Sequence, residues 1–346
     1  MKVLAMMSGG VDSSVAAALL RDQGHHVVGV TLKLWGGESD SGCCSVSDVE
    51  DARRVADALG IDHHVFDFGD GFDRHVVAPY AADHLVGRTP NPCIECNRHI
   101  KFAAVDQRAR ALGFDAIATG HHARVVVRPD GTRRVARGAD RAKDQSYVLH
   151  VVDQEVLART LLPLGHLTKP EVRTLAADLG LRTAAKPDSQ DVCFIRRDTG
   201  RSTFLGDRIP LTPGRVVDRS GAELGTVEAI ELLTVGQRRG LGLAGGSAPR
   251  YVVDLDLATS TVVVGDERDL LVDGQPVADL RWATGPELGP LLVQCSAHGE
   301  PRPGRIQPGA QGAAVVRWDE PQRRVAAGQS VVAYQGDEVV AGAVAT

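Results

Sequence analysis

The sequence predicts an α/β layer built on a parallel sheet, followed by two small β domains, and three observations carry that expectation. Short apolar runs alternate with helical stretches from the first residues to about residue 195, the pattern of a doubly wound layer. A glycine turn, Ser8-Gly9-Gly10, joins the first apolar run to the first helix. Beyond about Arg196 the texture changes to short Val-rich runs cut by Pro and Gly, which is β architecture.

The opening unit is the most particular. Val3-Leu4-Ala5-Met6 reads as a buried strand, and Val15 to Leu20, closed by Gly24, as a helix of small and apolar residues. Gly9 and Gly10 permit positive φ and close backbone approach, and a helix N-terminus supplies unpaired N–H donors, so a polyphosphate fits the turn. No Lys follows the glycines and no third glycine completes a dinucleotide fingerprint. The plain alternative is a tight turn with Asp12 or Ser13 capping a helix.

Val27 to Leu34 is a near-continuous apolar run, as expected of a strand buried on both faces. Asp48 to Leu59 is helical and stops at Gly60; His64 to Phe68 is a further strand and Asp73 to Val86 a further helix. The two prolines of Asn91-Pro92 and Thr89-Pro90 make Gly87 to Asn97 an expected loop, with helix resuming from about Ile100 to Leu112. Ile117 to Gly120 ends a strand at a glycine followed by His121 and His122, and Pro129-Asp130-Gly131 marks a hairpin. Thr168-Lys169-Pro170-Glu171 is a capping box opening a helix that ends at Gly180. The Val-rich runs at 215–217, 251–253, 261–264, 312–316 and 330–334 divide into two β domains near Leu270, so the expected domains are 1–195, 196–270 and 271–346.

With 346 residues and 43% hydrophobic content the chain can fill several cores. Its net charge of -5 excludes a global basic field, so any nucleic-acid contact is a local patch. Basic clusters stand at Arg196-Arg197, Gln237-Arg238-Arg239-Gly240 and Arg302 to Arg305. No stretch approaches the ~20 apolar residues of a membrane span, and the N-terminus does not read as a signal peptide, so a cytoplasmic protein is expected.

Six cysteines are too sparse for a disulfide scaffold. Cys43-Cys44 is a vicinal pair in the loop after the second strand. Cys93-x-x-Cys96 admits three readings: half of a zinc site, a local disulfide, or thiols that act in chemistry. Cys193 is single and flanked by Lys186, Arg196 and Arg197, cations that favour thiolate.

Taken together, these residues make the chain resemble the bacterial tRNA-specific 2-thiouridylases, ATP pyrophosphatases that replace the 2-oxygen of the wobble uridine with sulfur. The resemblance runs nearly end to end: Ser8 to Ser14, Gly87 to Asn97, Ala118 to His121, Lys143 to Tyr147, Asp188 to Phe194, and Gly236 to Gly242. It implies an adenine-nucleotide-binding α/β domain, a central β domain and a C-terminal β-barrel that contacts tRNA. ATP would lie on Met6, Met7, Ser8, Gly9, Gly10, Val11, Asp12 and Ser13, with adenine contacts near Leu32 and Gly120, and Mg2+ would arrive with it near Asp12. Cys193 matches the persulfide carrier, loaded by a cysteine desulfurase or relay protein, and Cys96 the partner thiol, with a Cys96–Cys193 disulfide left at the end of the cycle.

The resemblance further implies tRNA contacts from Asn91, Pro92, Cys93, His121, Lys143, Asp144, Gln145 and Gln329, a monomeric enzyme, and Lys, Glu and Gln isoacceptors as substrates. Two positions depart from the pattern. Family members carry Asp or Cys at the position of Cys93, an Asp there being considered a general acid or base; with a thiol, either that role is dispensable or Cys93 acts differently, as a competitor for the resolving role that the Cys-Asn position assigns to Cys96. Ser296-Ala297 stands where a basic residue is expected, with His298, Arg302 or Arg305 as replacements. The alternatives are an amide-forming ATP pyrophosphatase acting on a small metabolite, and a noncatalytic RNA- or metal-binding module.

Overall fold

The computed structural model describes residues 1–34, 46–188, 192–195, 200–243 and 248–346. Cys43, Cys44, Arg196 and Arg197 lie outside the described residues. The chain forms two compact units. The first comprises Met1–Val77, Pro92–Arg196 and Asp337–Val339, and the second Ala78–Asn91, Arg197–Gly336 and Val340–Thr346.

The first unit holds the parallel layer. Its strands are β1 (Lys2–Met6), β2 (His26–Lys33), β3 (His63–Asp67), β4 (Ala116–Ala118) and, past the hairpin β5 (Ala123–Val127) and β6 (Arg133–Arg137), β7 (Thr160–Leu161). The sheet order is β3-β2-β1-β4-β7, with every neighbour parallel. The order reverses beside β1, and ligands of such sheets sit outside the carboxyl ends of the strands at that reversal. The expected apolar run became the central strand: Val3 and Leu4 are fully buried.

Helix α1 (Val11–Asp22) owes its depth to small residues. Ala16, Ala17 and Ala18 are buried and let it lie close to β1, in one core with Val3, Ala5, Val15, Leu20, Val172 and Ala176. Each fully buried Val or Leu there stabilises the unit by about 1.5–3 kcal/mol. Helix α2 (Val46–Leu59) adds Ala52, Val55 and Ala56 to the same core. The Thr168–Glu171 capping box forms as expected and starts the helix Lys169–Asp178.

One expectation fails. The chain is not a loop throughout Gly87–Asn97: helix begins at Pro92 (Pro92–Glu95) and runs on through a wide π-helical stretch, Cys96–Ala104, into Val105–Ala111. Pro92 stands in the first turn, where its missing N–H has no helical partner to lose and its fixed φ suits the helix. Proline therefore starts this helix instead of forbidding it. Cys93 and Cys96 are helical neighbours as a result.

In the second unit β8 (Gly214–Asp218), β9 (Glu223–Val227), β10 (Tyr251–Asp256) and β11 (Thr261–Gly265) pair in the order β10-β11-β8-β9. They enclose Val216, Ile230, Leu241, Val252, Val262 and Val264. The last strands are β12 (Leu271–Trp282), β13 (Leu291–Gln294), β14 (Arg302–Pro308), β15 (Ala314–Arg323), β16 (Ser330–Gln335) and β17 (Glu338–Ala345). They run β12-β15-β14-β13-β16-β17, and β12 pairs again with β17, so the sheet closes into a barrel. The long β12 starts at the expected domain boundary but lies outside the expected Val-rich runs, because Gly274 and Pro276 interrupt its alternation of apolar and polar residues.

Candidate active site

The glycine turn is fixed from several sides. Met7 donates its N–H to the Val30 carbonyl at 2.8 Å and accepts at its own carbonyl from the Thr31 hydroxyl at 2.8 Å. Gly9 has φ +71, and a Cβ on it would fall 2.3 Å from the Asp48 carbonyl oxygen, so only glycine fits. Gly10 is the N-cap of α1, and no side chain caps its first amides. Space is open above Gly10, where a Cβ would meet only Ser8 Oγ, at 3.6 Å. Uncapped N–H groups at the positive end of a helix and a glycine cradle fit a polyphosphate.

Gly120, at the end of β4, lies against the same turn: a Cβ there would stand 2.6 Å from the Ser13 nitrogen. Leu32, 7% exposed, occupies the carboxyl-terminal part of β2. The residues expected around ATP, Met6 to Ser13 with Leu32 and Gly120, therefore gather at the carboxyl ends of β1, β2 and β4.

Asp12 is the pivot of the charges. Lys169 Nζ donates to both of its carboxylate oxygens at 2.7 Å, and His122 Nε2 lies 3.2 Å from Oδ1. Burial raises the Asp12 pKa, but the hydrogen bonds from His122 and Lys169 outweigh it and the net shift is downward, so the carboxylate is ionised. Lys169 also reaches Asp188 Oδ1 at 2.8 Å, and Asp188 collects Lys143 at 2.8 Å and Arg173 at 2.8 Å as well. Burial is again the largest influence on Asp188, yet Lys143 and Lys169 prevail and bring its pKa to about 2. Lys186 donates to the Gly9 carbonyl at 2.9 Å and to Asp48 and Asp51 at 2.7 Å each.

Lys169, Lys186, Asp188, Arg173 and His122 were not among the expected ligand-binding residues. A capping box explains its own sequence, so Thr168-Lys169-Pro170-Glu171 gave no reason to look further. The sequence carried no signal for the burial of Lys169; once the fold leaves it 7% exposed, its charge needs a carboxylate partner.

The three residues of Lys143-Asp144-Gln145 do different work. Lys143 pairs with Asp188. Asp144 accepts from Arg137 at 2.9 Å, from the Gly138 amide at 3.0 Å, and from Ser146 Oγ at 2.7 Å, so its carboxylate is spent on shaping its own loop. Gln145 Oε1 accepts the His122 amide at 2.9 Å, and its N–H donates to the His122 carbonyl at 3.0 Å. His121, beside them, hydrogen-bonds Thr119 Oγ1 through Nδ1 at 2.7 Å, and desolvation, with Lys101 nearby, brings its pKa down to about 3. It is neutral at physiological pH.

Of the thiols, Cys93 is exposed, Cys96 buried and Cys193 half-buried. Pro92 and Asn97 on either side are buried, with Asn97 Nδ2 donating to the Val148 carbonyl at 3.0 Å. Phe194, next to Cys193, packs edge-on against Phe72 with ring centroids 5.6 Å apart. The turn Gly69–Phe72 in its turn packs on the Cys96–Ala104 stretch. The two expected sulfur residues thus sit on segments that meet a common helical turn. Among the described residues no group of three His, Cys, Asp or Glu side chains could hold a metal ion.

In the second unit, Gln329 Nε2 donates to the carbonyl of Thr89, and Thr89 N–H donates to the Ala327 carbonyl at 2.7 Å, two residues before Asn91. Gln329, an expected tRNA contact, is therefore the side chain that holds the Thr89 carbonyl. Gln294 Nε2 ties the Ser296 and Ala297 carbonyls at 2.9 and 3.2 Å. Arg302 and Arg305 there pair with Glu300 at 3.0 Å and Asp319 at 3.5 Å. No helix among the described residues is long and apolar enough to cross a membrane.

Comparison with known proteins yields matches over the whole chain. Residues 1–197 match the family model described as tRNA methyl transferase HUP domain, 202–266 the tRNA methyl transferase PRC-barrel domain, and 273–345 the aminomethyltransferase beta-barrel domain. A tRNA-specific 2-thiouridylase MnmA of Carboxydothermus hydrogenoformans is 46% identical, covering 99% of this chain and 96% of that protein. Proteins of the same name from Chloroflexus aurantiacus and Mycobacteroides abscessus are 45% and 47% identical, covering 98% and 100% of this chain and 97% and 99% of their own lengths.

Proposed function

The chain belongs to the tRNA-specific 2-thiouridylase family, and from that premise we propose that it replaces the 2-oxygen of the wobble uridine of tRNA with sulfur at the expense of ATP. The observation that carries the proposal is the uncapped start of α1, with ionised Asp12 in its first turn, in the same unit as Cys96 and Cys193. The matching domain models have methyl-transfer names. Thiols in the same unit as a polyphosphate turn favour thiolation.

In this reading the phosphates of ATP lie on the amides of Val11, Asp12 and Ser13, and the uracil 2-oxygen attacks the α-phosphorus, expelling pyrophosphate and leaving the base adenylated. Mg2+, entering with ATP beside Asp12, supplies charge neutralisation on the phosphates, and one protein carboxylate plus substrate oxygens is an ordinary shell for that ion. Cys193 bears a persulfide. Its terminal sulfur forms a bond to C2 as AMP leaves with the former 2-oxygen, and the Cys96 thiolate then displaces the thiolated base from the Cys193 sulfur. Alternatively Cys96 first releases hydrosulfide, which attacks C2. Either route ends with a Cys96–Cys193 disulfide that an external thiol reduces, and needs the two Cα atoms within roughly 4.4–6.8 Å at that stage.

The persulfide comes from a cysteine desulfurase or a relay protein, and the substrates are the Lys, Glu and Gln isoacceptors. The residues that contact tRNA in this reading are Pro92, Cys93, His121, Lys143 and Gln145 in the first unit and Asn91 and Gln329 in the second, and the target base is flipped out of its strand. Asp144 serves those contacts indirectly, through its loop. Residues 1–195 form the catalytic domain, 196–270 the central β domain and 271–346 the tRNA-contacting barrel of a monomeric, cytoplasmic enzyme.

The test is incubation of the chain with ATP, Mg2+, a persulfide donor and unmodified tRNA, followed by nucleoside analysis. The expected product is 2-thiouridine with stoichiometric pyrophosphate. Pyrophosphate released on a small amine or acid, with no thiolated nucleoside from a competent donor, would move the assignment to the amide-forming class.

A further inference from the structure

The capping-box lysine is buried at a depth that helix initiation does not explain. Its backbone N–H donates to Asp140 Oδ2 at 2.9 Å, while its Nζ spans the 2.7 Å contacts to Asp12 and the 2.8 Å contact to Asp188. Asp188 is itself held by Lys143 and Arg173. Nζ is thus anchored on one side by a carboxylate that other cations fix, and on the other by the carboxylate in the first turn of α1.

If Lys169 loses Asp12 it keeps only Asp188, a carboxylate shared with Lys143 and Arg173, so a second anion within reach of Nζ is favoured, because a buried charge left under-compensated is costly. A divalent cation drawn to Asp12 competes for the oxygens that Lys169 now holds. The anion that arrives with that cation is the polyphosphate. The α-phosphorus has to stay open to the attacking uracil oxygen, so the group in need of an enclosed cation is the pyrophosphate that leaves.

We propose that Lys169 is a further catalytic residue of this site: when a magnesium nucleotide binds, its ammonium passes from Asp12 to an oxygen of the departing pyrophosphate, with Asp188 as the positioning residue that keeps Nζ in reach. The inference rests on the nucleotide-binding reading above. It assigns the second and third phosphates, not the adenosine or the first phosphate, to Lys169.

The experiment is calorimetric titration of the full chain with ATP and with AMP, each with Mg2+, in wild type, Lys169→Met and Lys169→Arg. Loss of one charge-assisted contact predicts ATP binding at least about tenfold weaker in Lys169→Met, with AMP binding within about twofold of wild type. Lys169→Arg, which keeps the charge, should retain most of the preference for ATP over AMP. If Lys169→Met does not fold, Lys169→Gln, which keeps a hydrogen-bond donor without charge, is titrated under the same criterion. Equal weakening of ATP and AMP, or none of either, overturns the proposal. A wild-type chain that binds neither nucleotide overturns the nucleotide reading itself, and does so before any variant is made.

Discussion

Gly120 lies so close to Ser13 that a Cβ on the glycine would stand 2.6 Å from the serine nitrogen and 2.7 Å from the Asp12 carbonyl carbon. The end of β4 and the first turn of α1 touch backbone to backbone, with no flexible side chain to give way. Gly120→Ala should push the two apart, costing about 1–3 kcal/mol of stability through overpacking. ATP affinity should fall with it. Urea unfolding and nucleotide titration of the variant check both, and an unshifted unfolding midpoint would contradict the contact.

Asp188 ties folding to acidity. Its folded-state pKa, about 2, lies below the ordinary aspartate value of 3.8, so its contribution is fully present above the unfolded value and is lost as pH falls toward 2. The shift corresponds to on the order of 2 kcal/mol. Asp188→Asn should therefore be less stable than wild type at pH 5, and the gap should close between pH 4 and pH 2 in chemical unfolding curves. A gap independent of pH would show that the cations do not act through this carboxylate's charge.

Gln329 and Thr89 make a second, separable test. Removing the amide in Gln329→Leu leaves the Thr89 carbonyl without that donor and loosens the backbone leading to Asn91, a loss of about 1 kcal/mol for a neutral hydrogen bond. Binding of tRNA in a filter assay should weaken severalfold, whereas ATP affinity should not change. Loss of ATP binding in this variant would show that its effect is general misfolding.

The thiols divide by burial and position. Cys96→Ser and Cys193→Ser should abolish sulfur transfer while ATP binding persists. Cys93→Ser, at an exposed helical position, should retain sulfuration. Thionucleoside yield per turnover measures all three, and full activity in Cys96→Ser would move the resolving role to Cys93.

The position of Cys93 and Cys96 illustrates what local rules miss. Two prolines close together read as a loop, yet Pro92 at a first helical turn starts a helix, and which of proline's two roles applies depends on where the preceding chain arrives. Thr89 is tied by Ala327 and Gln329, residues far along the chain, and no local pattern reports that tie.

What the sequence by itself determined is the sort of statement that composition, periodicity and glycine placement govern: the parallel layer around Val3 to Met6, the phosphate turn at Ser8 to Ser13, the capping box at Thr168, and the change to β domains near residue 196. These follow from backbone sterics and the period of burial, which neighbours a few residues apart decide. The tertiary structure alone decided that Lys169 meets Asp12 and Asp188, that Lys186 holds Gly9, and that Asp144 turns inward to Arg137. Charges pair across the fold because a buried ion needs its opposite within a few ångströms, and that distance is set by how strands and helices stack, whatever the separation along the chain. The turn that the glycines make a polyphosphate site is tied by those lysines to the segment leading toward Cys193.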